Sequence, residues 1–227
     1  FHTREHGNHF LSCIDRILEA RIDRDSSTVS YGGRLTAVNP YPISIEWPSR
    51  WLENQRPVPD CRVHIRERHA MGPDRLVGIG VDRLDYTKGI IERFLAVERL
   101  FELQPEWVGK FSFIQIAAPS RTIIDQYQHF HDQVYALAER INKRFGREGY
   151  EPIVLKVKHH EPPDVYEYYR ASELCFVTSL HDGMNLVAKE FIAARDDEQG
   201  VLILSQFTGA AQELPEEAPR WEPSSPP

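Results

Sequence analysis

Arg75-Leu76-Val77-Gly78-Ile79-Gly80 runs directly into Val81-Asp82-Arg83-Leu84-Asp85-Tyr86-Thr87-Lys88-Gly89-Ile90. An apolar, β-rich run ends in a loop that carries two cations five residues apart, and a helical pattern begins at Ile90 and continues to Leu103. The same order returns downstream. FSFIQIAA (111–118) precedes a long helical stretch from about Thr122 to Phe145, and IVLKVKH (153–159) precedes one around Asp164 to Ala171. LCFVTS (174–179) is followed by a helix from about Asn185 to Ala194, and then by VLILS (201–205). Near-continuous apolar strands separated by amphipathic helices predict an α/β fold: a doubly wound, Rossmann-like parallel sheet covered on both faces. Ligands of such sheets sit at the carboxyl ends of the strands, so the loops that follow the strands are where chemistry is expected.

Outward from this block the pattern weakens. His9 to Ile22 places Phe10, Cys13, Ile14, Ile17 and Leu18 at helical spacing, predicting one buried face, and Gly32-Gly33 interrupts it. Thr36 to Glu46 holds two prolines and a β-branched run, which suits an extended segment. Segment 57–74, punctuated by Pro57 and Pro59, is the expected interdomain linker, so that residues 1–74 read as the edge of one domain plus linker and 75–214 as a second domain. Residues 215–227 contain five prolines and no periodicity, and are expected to be a disordered or aberrant tail. The chain opens on Phe1 and not on methionine, so an upstream segment is expected.

With 227 residues, 41% of them hydrophobic, the chain can bury a sizeable core. Its net charge of −7 argues against a general affinity for nucleic acid or anionic lipid, so any bound phosphate must be met by a few placed cations. Cys13, Cys61 and Cys175 are odd in number and lack metal-site spacing. They read as buried free thiols of a cytoplasmic protein, and no apolar run is long enough for a membrane span.

Arg83 can grip phosphate oxygens in a bidentate fork, and Lys88 adds a point charge near a helix amino terminus, as a departing diphosphate requires. A solvated loop with an Arg83–Asp85 ion pair accounts for the same residues. The loop after LCFVTS reads Leu180-His181-Asp182-Gly183-Met184-Asn185-Leu186-Val187-Ala188-Lys189-Glu190. Gly183 permits close backbone approach, and the amides from Gly183 to Leu186 at a helix start form an anion nest. Asp182 at the helix mouth and Glu190 about two turns in can accept hydrogen bonds from hydroxyls of a sugar and a ribose; a helix cap and an exposed helical charge are the plainer reading. Arg121, just after a strand end, is either a third cation for the crevice or a surface arginine. The histidines do not form a metal site on this reading: His159 and His160 point to opposite strand faces, and His2, His6 and His9 lack a partnering carboxylate or cysteine at a recognised spacing.

VDRLDYTKGI, IAAPSR, YRASELCFVTSLHDGMNLVAKEFIAA and VLILSQFTGAAQEL, in this order, resemble the carboxyl-terminal domain of the trehalose-6-phosphate synthase family over about residues 75–214. The opening FHTREHGNHFLSCIDRIL resembles the end of that family's amino-terminal domain. The resemblance implies a metal-independent GT-B glycosyltransferase of two Rossmann-like domains, using no cofactor. It would move glucose from UDP-glucose to glucose 6-phosphate with retention, by front-face attack assisted by the departing phosphate. By motif, Arg83 and Lys88 would neutralise the diphosphate and Arg121 would line the acceptor-phosphate or donor cleft. Asp182 would hold the glucose hydroxyls, the amides of Gly183, Met184, Asn185, Leu186 and Val187 would support sugar and phosphate, and Glu190 would take the ribose. His160 stands where the family often has an aromatic near the uracil. The acceptor half of such an enzyme would lie upstream, so the chain alone is expected to be inactive. Glucosylglycerol-phosphate synthase and a non-catalytic UDP-sugar-binding or regulatory module share these motifs, and self-association is left open. A proline-rich run replaces the family's asparagine-proline-tyrosine continuation after AAQEL.

Overall fold

A computed structural model describes residues 1–120 and 125–214. Arg121 and the expected tail 215–227 lie outside the described residues. The elements in chain order are α1 (Arg4–Ile17), β1 (Arg21–Asp23), β2 (Thr28–Tyr31), β3 (Arg34–Ala37), α2 (Val58–Arg68), β4 (Leu76–Arg83) and α3 (Ile90–Leu103). They continue with β5 (Phe111–Ala118), α4 (Asp125–Phe145), β6 (Ile153–Lys156), α5 (Pro162–Ala171), β7 (Leu174–Val177), α6 (Leu186–Ala194) and β8 (Val201–Leu204).

The five strands from β4 onward form one parallel sheet in the order β6-β5-β4-β7-β8. Strand alternation divides its side chains between two cores. Val77, Ile79, Ile114 and Ile116 pack with Cys61 and Ile65 of α2, Tyr166 and Tyr169 of α5, and Phe191 of α6. Phe111 and Phe113 face the other way, onto Phe94, Val97 and Phe101 of α3 and Val134, Ala138 and Ile141 of α4. This is the doubly wound arrangement the sequence predicts. The chain moves from β4 to β5 and β6, then crosses back to place β7 on the other side of β4, so the topological switch lies between β4 and β7.

The first forty residues form a smaller unit of α1 and the antiparallel sheet β1-β2-β3 around Leu11, Val29 and Val38. Gly32 and Gly33, at φ of 57° and 78°, make the two-residue β2–β3 turn, since both positions need the left-handed region. Two expectations change here. Helix α1 buries Gly7 and Leu11, leaving Phe10, Cys13 and Ile17 exposed, because the apolar cluster it joins is that of this narrow sheet. Segment 57–74, expected as a linker, holds α2, whose Val58, Cys61 and Ile65 are buried. Pro59 sits in its first turn, where the missing N–H has no intrahelical acceptor to lose. Among the described residues no helix is long and apolar enough to cross a membrane.

Candidate active site

The residues that the strand-end loops contribute converge on one cleft of about 660 Å³ at the switch point. Arg83, Lys88, His160, Asp182, Gly183, Met184, Asn185, Leu186, Val187 and Glu190 all line it.

The loop after β4 is held by its own side chains. Leu84 is fully buried, and Asp85 accepts from the Thr87 amide and hydroxyl, both at 2.9 Å. The Asp85 carboxyl is thereby occupied locally. Burial alone would raise its pKa, but the Thr87 donors, with Arg83 and Lys88 nearby, hold it below the ordinary value. Arg83 is exposed, and among the described residues no hydrogen bond or ion pair engages its guanidinium, so the Arg83–Asp85 pair is not formed. Gly89 closes the loop at φ 66°, where a Cβ would collide with the Thr178 carbonyl. Only glycine fits both demands.

The loop after β7 is stitched to the loop after β8. The Asp182 amide donates to the Phe207 carbonyl at 3.0 Å, the Gly209 amide to the Asp182 carbonyl at 3.1 Å, and the Ala210 amide to the Met184 carbonyl at 2.7 Å. Asn185, and not Asp182, caps α6: its side-chain oxygen accepts from the Ala188 amide, and its backbone sits at φ 73°. That leaves the Asp182 carboxylate free to face the cleft. It accepts from Lys88 Nζ at 2.6 Å, Asn185 Nδ2 at 3.1 Å and Ser179 Oγ at 3.3 Å. Burial pushes its pKa up, but Lys88, Asn185 and the Met184 amide outweigh this and bring it below the ordinary value. The amides of Leu186 and Val187, in the first turn of α6, have no intrahelical acceptor.

Glu190 lies in the second turn of α6 and accepts from the Tyr169 hydroxyl at 3.1 Å. Burial raises its pKa against that bond, so it is not the exposed helical charge of the plainer reading. The His160 side chain is 2% exposed and sits edge-on to Tyr168, while His159 is 75% exposed. His160 Nδ1 donates to the Lys158 carbonyl at 3.1 Å, and its buried Nε2 has no hydrogen-bond partner among the described residues.

Several cleft residues were not selected from the sequence. Asp82 lines it from the end of β4, and Lys158 from the loop just past β6. His2 and Ile43 enter from the small amino-terminal unit and the segment after it. Asp82 and Lys158 lay beside selected residues at strand ends, a signal that was present; nothing local marks His2 or Ile43. Below the cleft Asp82 is paired with Arg93 at 2.8 Å.

The glycosyltransferase family 20 model matches residues 1–224. The chain belongs to this family. It is 40% identical over 215 residues to an alpha,alpha-trehalose-phosphate synthase [UDP-forming] of Schizosaccharomyces pombe, covering 94% of this chain and 41% of that protein. It is 39% identical over 214 residues to alpha,alpha-trehalose-phosphate synthase [UDP-forming] A of Dictyostelium discoideum, covering 94% and 29%. A Burkholderia xenovorans alpha,alpha-trehalose-phosphate synthase (UDP-forming), solved in complex with glucose-6-phosphate, superposes with a TM-score of 0.84 at 36% identity, over 94% of this chain and 47% of that one. An Escherichia coli structure bound with UDP-2-fluoro glucose gives 0.83 at 35% identity, over 94% and 47%. This family 20 chain therefore spans less than half the length of these relatives.

Proposed function

We propose that the chain is the nucleotide-sugar-binding side of a retaining glucosyltransferase of trehalose-6-phosphate synthase type, taking UDP-glucose as donor and serving transfer to glucose 6-phosphate. The observation that carries this is the meeting, in one cleft at the sheet's switch point, of an exposed Arg83, a Lys88 ammonium, the amino terminus of α6 and two carboxylates at different depths. Cations and free amides suit a diphosphate, and Asp182 and Glu190 suit hydroxyls on either side of it. Arg83 and Lys88 would stabilise the negative charge that grows on the leaving group, the contribution electrostatic catalysis asks of such a site. His160 would face the base. In this reading residues 75–214, with α2 packed into their core, are the donor domain, the first forty residues belong with the acceptor side, and Arg121, by motif, would line the acceptor-phosphate or donor cleft. The two buried free thiols, Cys61 and Cys175, fit a cytoplasmic setting.

Calorimetric titration with UDP tests the assignment. The chain is expected to take up UDP weakly and without turnover, and an Arg83→Ala, Lys88→Ala double variant to lose most of the heat. Equal heats in both would sink the donor site. In a full-length relative context, glucose 6-phosphate against glycerol 3-phosphate then identifies the acceptor.

A further inference from the structure

Arg93 lies under the cleft and is not among its lining residues. It stands on the first turn of α3 with its side chain fully buried. Its guanidinium ties the middle of β5, the end of β4 and the residue just past β7 together. Nη1 donates to Asp82 Oδ2 of β4 at 2.8 Å and to Gln115 Oε1 of β5 at 2.6 Å, and Nε donates to Thr178 Oγ1, just past β7, at 3.1 Å. The remaining nitrogen, Nη2, donates to the Lys88 carbonyl at 3.3 Å. The Thr178 hydroxyl in turn donates to the Gly89 carbonyl at 3.1 Å. Two consecutive carbonyls of the cation-bearing loop are therefore held from below: that of Lys88 by the guanidinium, and that of Gly89 by the Thr178 hydroxyl together with the Arg93 backbone amide at 3.0 Å.

The surroundings keep space for this arrangement. A Cβ on Gly80 would run into the Arg93 guanidinium and the Gln115 side chain. A sealed guanidinium is costly unless its donors are matched, and here four of its five N–H groups, at least one on every nitrogen, are aimed at fixed acceptors. A hydrophobic side chain could fill the same volume but could not hold the Lys88 and Gly89 carbonyls. Lysine carries its charge on a flexible four-carbon stem, so where the ammonium can reach is set by where its backbone is anchored.

We propose that Arg93 is a positioning residue for loop 83–89. It acts through the carbonyls of Lys88 and Gly89 to fix the point from which the Lys88 ammonium meets a diphosphate. The ligand in this inference rests on the donor reading above; the hold on the loop does not.

Two variants separate the effect from general damage. Arg93→Lys keeps the charge but loses the fork, and Thr178→Val removes the Arg93 Nε–Thr178 bond together with the relay to Gly89 while leaving the Arg93–Asp82 pair intact. UDP and uridine are titrated into each, alone and on a Lys88→Ala background. Hydrogen exchange of the unliganded chain is followed over 83–89, with α4 as the internal reference. Losing one charge-assisted hold predicts about tenfold weaker UDP binding in Arg93→Lys and about threefold in Thr178→Val. Uridine binding stays unchanged, and Arg93→Lys adds no loss once Lys88 is alanine. Exchange over 83–89 quickens in both variants while α4 is unaffected. Equal losses for uridine and UDP, additive losses with Lys88→Ala, or unchanged exchange over 83–89 would each overturn the proposal. If the parent chain takes no UDP, the donor reading fails separately. Exchange then decides the hold: faster exchange confined to 83–89 upholds it, and unchanged exchange overturns it.

Discussion

Replacing Asp182 by asparagine should move fold stability and diphosphate binding in opposite directions. In the empty cleft the Lys88 ammonium is matched by Asp182 at 2.6 Å, with the two side chains only 14% and 15% exposed. At an effective dielectric of about 20, attraction at that distance is about 6 kcal/mol, most of it offset by the desolvation of both groups. Removing one charge leaves the other buried without a counter-charge, so Asp182→Asn should cost about 2 kcal/mol in urea unfolding at neutral pH. The same change frees Lys88 for an incoming anion, and UDP should bind about threefold to tenfold more tightly. UDP-glucose should gain nothing beyond UDP, because the proposed contact to the sugar is gone. Because the Asp182 pKa is lowered on folding, its contribution is complete above the ordinary aspartate value of about 4 and fades as pH falls through the folded value beneath it. The parent and variant unfolding curves should therefore converge in acid. If Asp182→Asn weakens UDP as Lys88→Ala does, the pair is not a competitor of the ligand and the reasoning fails.

Gly89→Ala should cost about 2–3 kcal/mol, since alanine is strained at φ 66° and its methyl meets the Thr178 carbonyl; a melting temperature unchanged within a degree would contradict the loop geometry. Glu190→Gln should leave the chain as stable at pH 8 or stabilise it by about 1 kcal/mol. The raised pKa means that the carboxyl's contribution is complete below its ordinary value and is lost as pH rises through the folded one, so a marked destabilisation at pH 8 would count against it. Burial, with Lys156 and Arg68 nearby, depresses the His69 pKa to about 4, and its Nε2 is hydrogen-bonded to the Tyr168 hydroxyl at 2.9 Å. Proton uptake by the unfolded chain begins below its ordinary 6.5, so stability should fall by about 2 kcal/mol, after discounting for solvent screening, between pH 6.5 and 4. His69→Gln should flatten that part of the pH profile.

The sheet was legible because each of its strands is a short apolar run closed by a loop, and because parallel strands buried on both faces need no alternation to be seen. The cleft was legible for the same reason: Arg83, Lys88, Asp182 and Glu190 follow strand ends that the topology must bring to one side. Helix α2 was hidden by Pro57 and Pro59, which punctuate a linker and begin a helix equally well. The charges of RVHIRERH, the buried Arg66 among them, further diluted its buried Cys61 and Ile65. Arg93 was unreadable for a different reason. On a helix, an arginine looks like solvent-facing charge, and its acceptors come from Asp82, Gln115 and Thr178 on three separate strands or strand ends. His2 and Ile43 reach the cleft only through tertiary packing. Lys189 Nζ donates to the Ile43 carbonyl at 3.0 Å, and a local pattern cannot foresee that bond.

Strands β4 and β5 are paired over eight residues, from Leu76–Phe111 to Arg83–Ala118, whereas β4 and β7 are paired only at Gly78–Leu174 and Ile79–Cys175. The sheet is thus two leaves, β6-β5-β4 and β7-β8, joined by a short backbone seam that stops well before the strands end. Pulled across the strands, it would part first along this line. A ligand gripped by Lys88 on one leaf and by the start of α6 on the other would lie across the gap as a rivet, sharing a force that the backbone carries on these two rungs and on the flanking Glu173–Val77 and Leu180–Thr87 bonds.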